Sequence, residues 1–254
     1  MKKTLLSLFI LLTLLFSYNY SNAQVIYTYS RPRWTIGFGT AWNLATNDAY
    51  GRANYATQDQ ILHDNYGMRW GYGGYIFGKY SPGKMKNDRI YLGFDYKGMK
   101  NSDFSDYNST KYDIMSIGAG YEYLFYGTYG FRSYYGGGLT GNIISGEYIP
   151  ATVTATNVAR TFESTFRVGM ELKAGLEFVL KNRKRNLGIH VGARYNLMNL
   201  FNDDNQPVST GARGEENFND GDAIGGPGFK RYMGIVSIDV GLNIYPDVRR
   251  TRRK

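Results

Sequence analysis

The sequence predicts an all-β protein: an antiparallel up-and-down β-barrel of about eight strands that crosses a membrane, preceded by a signal peptide. Three observations predict it. Apolar residues recur at every second position over long stretches. The connections between those stretches alternate long and short. The chain opens with an export signal.

The export signal is the first element. Lys2 and Lys3 form a positive start, and Leu5 to Phe16 is apolar apart from Ser7 and Thr13. Ser21-Asn22-Ala23 then offers small residues to a signal peptidase, so cleavage is expected after Ala23, before Gln24. The apolar stretch falls short of the roughly 20 residues of a spanning helix. The expected plan is residues 1–23 as signal peptide, 24–248 as an outer-membrane β-barrel and 249–254 as a basic periplasmic tail. The chain has no cysteine, which excludes a lipoprotein anchor, disulfides and thiolate chemistry. Mean hydropathy is negative, at −0.41. That value does not argue against a membrane, because strands that alternate apolar and polar residues average out.

The strands follow in order. Trp34, Ile36, Phe38 and Trp42 oppose Thr35, Gly37, Gly39 and Ala41. Arg69 to Tyr80 is a weaker segment, with glycine on both faces. Ile90, Leu92, Phe94 and Tyr96 oppose Tyr91, Gly93, Asp95 and Lys97; Met115, Ile117, Ala119 and Tyr121 oppose Ser116, Gly118, Gly120 and Glu122. Arg132 to Ile143 is again weaker, and Gly136-Gly137-Gly138 within it suggests a bend or bulge. The clearest segment is Arg167 to Phe178, where Val168, Met170, Leu172, Ala174 and Leu176 share one face and Glu171, Lys173 and Glu177 the other. Leu187 to Leu197 and Val236 to Ile244 repeat the pattern. A helix would spread these classes round its circumference, whereas a strand separates them. Most segments reach about nine residues or more, the length a tilted strand needs to cross a bilayer.

Long connections at 44–67, 145–164 and 201–230 alternate with short ones at 81–88, 125–130 and 181–186, and 101–110 is intermediate. Long extracellular loops and short periplasmic turns are the rule in outer-membrane barrels. That order places both chain ends in the periplasm.

Period two alone does not say which face looks outward. A soluble lipocalin-like binder would turn its apolar face inward. Here the second face is rich in glycine and sparse in charge, which suits a small crowded lumen better than a solvated exterior. On that reading the lumen holds a polar network of Asp95, Lys97, Glu122, Arg132, Glu171, Lys173, Glu177, Arg194 and Asp239. An eight-stranded barrel has an interior that side chains just fill. The near balance of signs therefore predicts a paired plug rather than an ion pathway.

With these strands and loops in place, the mature chain resembles the small eight-stranded outer-membrane barrels of the OmpA-transmembrane-domain, OmpX and OmpW type. The resemblance is architectural and carries no diagnostic motif. The basic tail after Tyr245 departs from it. The Ala23-Gln24 junction and the Tyr/Gly-rich strands resemble exports of Bacteroidota-type bacteria.

Chemistry is sparse. The two histidines are His63, in the first long loop, and His190, expected to face inward near the periplasmic end. Neither forms part of a catalytic or metal-ligating pattern, so no enzyme activity, metal or cofactor is expected. The acidic loop from Asp203 to Asp222 lacks EF-hand spacing and reads as a solvated loop. Trp42, Trp70 and Tyr72 are candidate girdle or lumen-lining residues.

The formal net charge is +9, and removing Lys2 and Lys3 leaves +7. The cations concentrate at the periplasmic end: Lys84, Lys86 and Arg89, then Lys181, Arg183, Lys184 and Arg185, then Arg249, Arg250, Arg252 and Arg253 with Lys254. This basic rim is expected to meet anionic lipid, peptidoglycan or an acidic envelope protein, and the compartment argues against nucleic acid. The leading functional reading is a structural or interaction barrel with a plugged lumen. The alternatives are a narrow channel or lateral-exit transporter for small apolar molecules, and the soluble binder.

Overall fold

The computed structural model describes residues 27–29, 32–51, 66–102, 109–126, 130–150, 159–180, 186–200, 215–216, 232–248 and 250–252. The signal peptide, His63, Lys181, Arg183, Lys184, Arg185, Arg249, Arg253 and most of the acidic loop lie outside the described residues. The strands are β1 (Tyr27–Tyr29), β2 (Trp34–Asn47), β3 (Trp70–Tyr80), β4 (Asp88–Ser102), β5 (Ser109–Tyr126), β6 (Phe131–Ile149), β7 (Arg160–Val179), β8 (Leu187–Leu197), β9 (Glu215–Glu216), β10 (Met233–Ile244) and β11 (Arg250–Arg252).

Eight of these strands close on themselves. The order is β2-β3-β4-β5-β6-β7-β8-β10, and β10 returns to β2, with every pair antiparallel. The closing seam runs from Met233↔Asn47 to Ile244↔Ile36. Closure leaves no strand edge along the wall, and in hydrocarbon an unpaired edge would be costly. The short β9 adds in parallel to β7 at Thr161↔Glu215. Separately, the chain ends form a two-stranded antiparallel ladder, β1 on β11, with Tyr27↔Arg252 and Tyr29↔Arg250.

The wall is inverted relative to a water-soluble barrel. Leu92, Ile117, Leu139, Leu172 and Val240 are each more than half exposed on its outer face, whereas Arg89, Lys97, Glu122 and Glu177 are buried inside. This is the distribution of a barrel that sits in hydrocarbon, and it excludes the lipocalin-like arrangement. Aromatic residues mark both ends of the apolar band. Trp34 packs on Tyr80 at 4.6 Å between ring centroids at one end, beside the entry to β2. At the loop end Trp70 meets Tyr72 edge-on at 5.5 Å, and Trp42 faces Tyr72 in register. Trp34 and Trp42 are separated by eight positions on β2, which is roughly 27 Å along a strand. With the usual tilt of roughly 35–45° that spacing projects to about 20 Å along the axis, which fits within an apolar band of about 25 Å.

Strand length exceeds the sequence expectation on one side. β3 and β8 have 11 residues each, but β5, β6 and β7 have 18, 19 and 20. The surplus lies at the loop end, where Ser109–Asp113 still pair with both β4 and β6. Residues 145–149 and 160–164, expected in a loop, belong to strands. The apolar pattern stops at the membrane edge because Lys111, Asp113 and Glu147 replace it on the outer face, while the backbone pairing continues.

The triple glycine also differs from expectation. Gly136, Gly137 and Gly138 pair continuously with β5 and β7, and the irregularity in β6 falls between Ile144 and Gly146 instead. The reason is space. A Cβ on Gly138 would collide with the Ala119 carbonyl and the Tyr91 hydroxyl, and one on Gly136 would meet Glu122. Gly138 thereby lets the Tyr91 side chain of β4 lie flat across the neighbouring strands.

The charged lumen as the candidate functional site

The interior is layered along the barrel axis. Towards the end with the short turns it is ionic. Glu122 on β5 is the hub: its carboxylate lies 3.0 Å from Lys79 Nζ, 2.8 Å from Arg89 Nη2 and 2.9 Å from Lys173 Nζ. Glu177 accepts from Arg89 Nη1 at 2.7 Å and lies 3.6 Å from Lys79. A second group holds Asp95 between Lys97, at 2.7 Å, and Arg194, at 2.9 Å. Arg194 Nε extends it to Asp239 at 3.3 Å. Lys173 lies 3.7 Å from Glu171, near the boundary of the two groups. All five carboxylates thus have a cation within ion-pair distance, as burial in a low dielectric requires.

Aromatic rings complete the packing. Lys79 Nζ lies 4.2 Å from the Phe77 ring and 4.6 Å from the Tyr134 ring, Lys173 stands over Tyr91, and the Arg194 guanidinium is 4.9 Å from Tyr75. These contacts are of the cation–π kind. Arg132 sits nearer the short-turn mouth, its guanidinium 5.1 Å from the Tyr245 ring.

Beyond the ionic groups lies a neutral layer of amides and hydroxyls. Asn142 Nδ2 donates to Thr140 Oγ1 at 3.1 Å, Asn196 Nδ2 to Asn142 Oδ1 at 3.3 Å, and Ser237 Oγ to Asn43 Oδ1 at 2.7 Å. The loop-end mouth is apolar. Met68, Met99, Tyr112, Ile114, Ile144, Met198, Met233 and Ile235 form one buried cluster with Ala45, Ala49 and Tyr66. The base of the first loop folds into it: Tyr66 N donates to the Asp48 carbonyl at 2.8 Å and Met68 N to the Ala49 carbonyl at 2.9 Å. Three wall side chains hold the loop carbonyls. Asn101 Nδ2 reaches Gly51 O at 2.9 Å, Thr110 Oγ1 reaches Gly67 O at 2.7 Å, and Tyr112 OH reaches Tyr66 O at 2.5 Å.

A cavity of about 40 Å³ remains in the ionic region, bordered by Tyr75, Tyr91, Asp95, Glu171 and Arg194. At about 10–15 Å³ per water, that is room for about three or four waters.

The structure therefore brings Asp95, Lys97, Glu122, Glu171, Lys173, Glu177, Arg194 and Asp239 into linked ion pairs, with Arg132 at the mouth. Sequence reasoning misses two central members. It groups Arg89 with the turn lysines as a periplasmic cation, yet Arg89 is buried and bound to Glu122 and Glu177. β4 begins at Asp88, so Arg89 shares the inward phase of Tyr91, Asp95 and Lys97. Lys79 shares the phase of Tyr75 and Phe77, but glycine on both faces of β3 obscures it. His190 is buried, with Nε2 2.5 Å from the Tyr75 hydroxyl and 3.7 Å from Asp239. Trp42 and Tyr72 lie on the outer face, which makes them girdle residues. Among the described residues no cluster of His, Asp or Glu is arranged to hold a metal ion.

No known family and no curated protein matches the sequence. Solved structures of similar shape exist. Neisserial surface protein A is 16% identical with a TM-score of 0.48, over 86% of this chain and 99% of its own. Ail, the attachment invasion locus protein of Yersinia pestis, is 13% identical with a TM-score of 0.44, over 85% and 100%. A major outer membrane protein from Thermus thermophilus is 11% identical with a TM-score of 0.47, over 82% and 98%. The architecture of this chain rests on its own ladder and inverted faces: an eight-stranded, all-antiparallel transmembrane β-barrel.

Proposed function

We propose that this protein is a bacterial outer-membrane barrel, exported by its signal peptide, with a closed lumen and a structural or interaction role. The observation that carries the reading is the filling of the lumen. Ion pairs occupy the short-turn half, and an apolar layer anchored by Asn101, Thr110 and Tyr112 occupies the loop-end mouth. A hydrated ion would have to break buried pairs and then cross a dry layer. The surrounding partner is outer-membrane lipid. The outer loops face the exterior, and an envelope-machinery protein could be met at the periplasmic end. No catalytic step, cofactor or metal enters the proposal.

Planar-bilayer recording of the purified protein tests it. The expected trace shows no steady ohmic conductance. A reproducible ohmic pore would overturn the closed lumen and favour the channel reading.

A further inference from the structure

The ladder formed by the chain ends is incomplete as a piece of sheet. β1 pairs with β11 at Tyr27↔Arg252, Thr28↔Thr251 and Tyr29↔Arg250, and among the described residues neither strand has a second neighbour. It is a sheet of its own, separate from the one that closes the barrel. Two strands alone are marginally stable in water, and a stable sheet needs three or more. Along the outer edge of each strand, alternate backbone N–H and C=O groups point away from the ladder and are open to another strand.

The two open edges differ in chemistry. β11 is Arg-Thr-Arg, set in a run with Arg249, Arg253 and Lys254 and no carboxylate. Cations on an edge strand guard it against pairing with a further strand. β1 is Tyr-Thr-Tyr, the end of the run Val25-Ile26-Tyr27-Thr28-Tyr29. That run holds only β-branched and aromatic residues, with no charge, glycine or proline, which is the composition of a segment that adds to a strand edge. β1 is also self-complementary. Laid antiparallel on a copy of itself, it sets Thr28 opposite its own counterpart and Tyr27 opposite Tyr29, with no like charges facing each other.

We propose that β1 pairs through its open edge with β1 of a second copy of this chain, so that two ladders join into one four-stranded sheet in the order β11-β1-β1-β11. The contact is isologous, as a two-fold dimer requires. It uses the uncharged edges and leaves the arginine strands outermost, where their charge stops the sheet from growing beyond two copies. Strand number also selects this occupant, because each copy brings the two strands that the other lacks. The proposal does not depend on the closed lumen.

The chain has no cysteine, so a single introduced thiol reports on the contact. Full-length Thr28→Cys protein is folded into vesicles, oxidised and run on a gel without reductant. Residues directly opposed on antiparallel strands have Cα atoms about 4.5–5.5 Å apart, within reach of a disulfide. Thr28→Cys is therefore expected to give a dimer band that persists as the protein is diluted with lipid. Thr251→Cys is the control and should stay monomeric, because two β11 strands at the outer edges stand about 14 Å apart, beyond disulfide reach. Adding Tyr27→Lys and Tyr29→Lys to Thr28→Cys charges the edge, and the dimer band should be lost. The heat-dependent gel shift of each variant checks that its barrel has folded. A monomer band for Thr28→Cys at every dilution would overturn the proposal and leave the edge to a strand of another protein. Equal dimer bands from Thr28→Cys and Thr251→Cys would also overturn it, since collision alone would then account for both.

Discussion

Glu122 illustrates how much one side chain carries in a lumen this narrow. It is fully buried, and three cations converge on its two oxygens. Glu122→Gln keeps the shape and removes the charge, so Lys79, Arg89 and Lys173 would face a neutral amide. Breaking a buried ion pair from one side costs about 3–5 kcal/mol. Urea unfolding in vesicles, followed by tryptophan fluorescence, should show a correspondingly lower midpoint; an unchanged midpoint would mean that the network contributes nothing to stability. Lys111 and Glu147 form the contrasting case. They lie 2.7 Å apart but are about half exposed, so Lys111→Gln should leave the midpoint where it was. The inward position of Glu122 is legible from its two-residue phase with Gly118 and Gly120. Its three partners are not, because Lys79, Arg89 and Lys173 come from three other strands.

At the scale of the element, glycine does opposite things on the two faces of a strand. Gly138, on the inner face of β6, is enclosed by the Ala119 carbonyl and the Tyr91 hydroxyl. Gly138→Ala overpacks that contact and should destabilise the barrel by about 1–3 kcal/mol. Gly78, on the outer face of β3, has nothing within 4 Å of where a Cβ would stand. Gly78→Ala should be neutral or stabilising, by up to about 1 kcal/mol, because it restricts the unfolded chain. The same unfolding assay compares them, and equal effects would contradict the assignment of faces. The glycine run in β6 reads as a bulge in the sequence because a missing side chain is visible there and what fills its place is not. Strand ends escape the sequence for a related reason: β5, β6 and β7 keep their hydrogen bonds past the point where their outer face turns polar.

For the whole molecule, the inverted wall makes a direct prediction. A closed transmembrane barrel resists detergent until heated, so membrane-fractionated protein should run at different gel positions before and after boiling, and should be found in the outer-membrane fraction. An unshifted band in the soluble fraction would contradict the lipid-facing wall. The layered lumen adds the second expectation at this scale, the absence of ohmic conductance, because its ion pairs and its apolar mouth lie in series along the axis.

By itself the sequence determined the eight strands of the wall, their up-and-down order and the two faces of each strong strand, such as Val168–Leu176 against Glu171–Glu177. These follow from local rules, since a period of two and a turn are properties of neighbouring residues. Tertiary structure decided that Arg89 belongs to the lumen, and which charges pair across it. Arg89 and Glu177 are 88 positions apart, and Arg194 and Asp95 are 99 apart. Pairs so distant along the chain are set by the register of the closed sheet, because a one-residue slip would turn every side chain to the other face. The apolar seal at the loop mouth belongs with them, since Met68, Met99, Met198 and Met233 become neighbours only once the barrel closes.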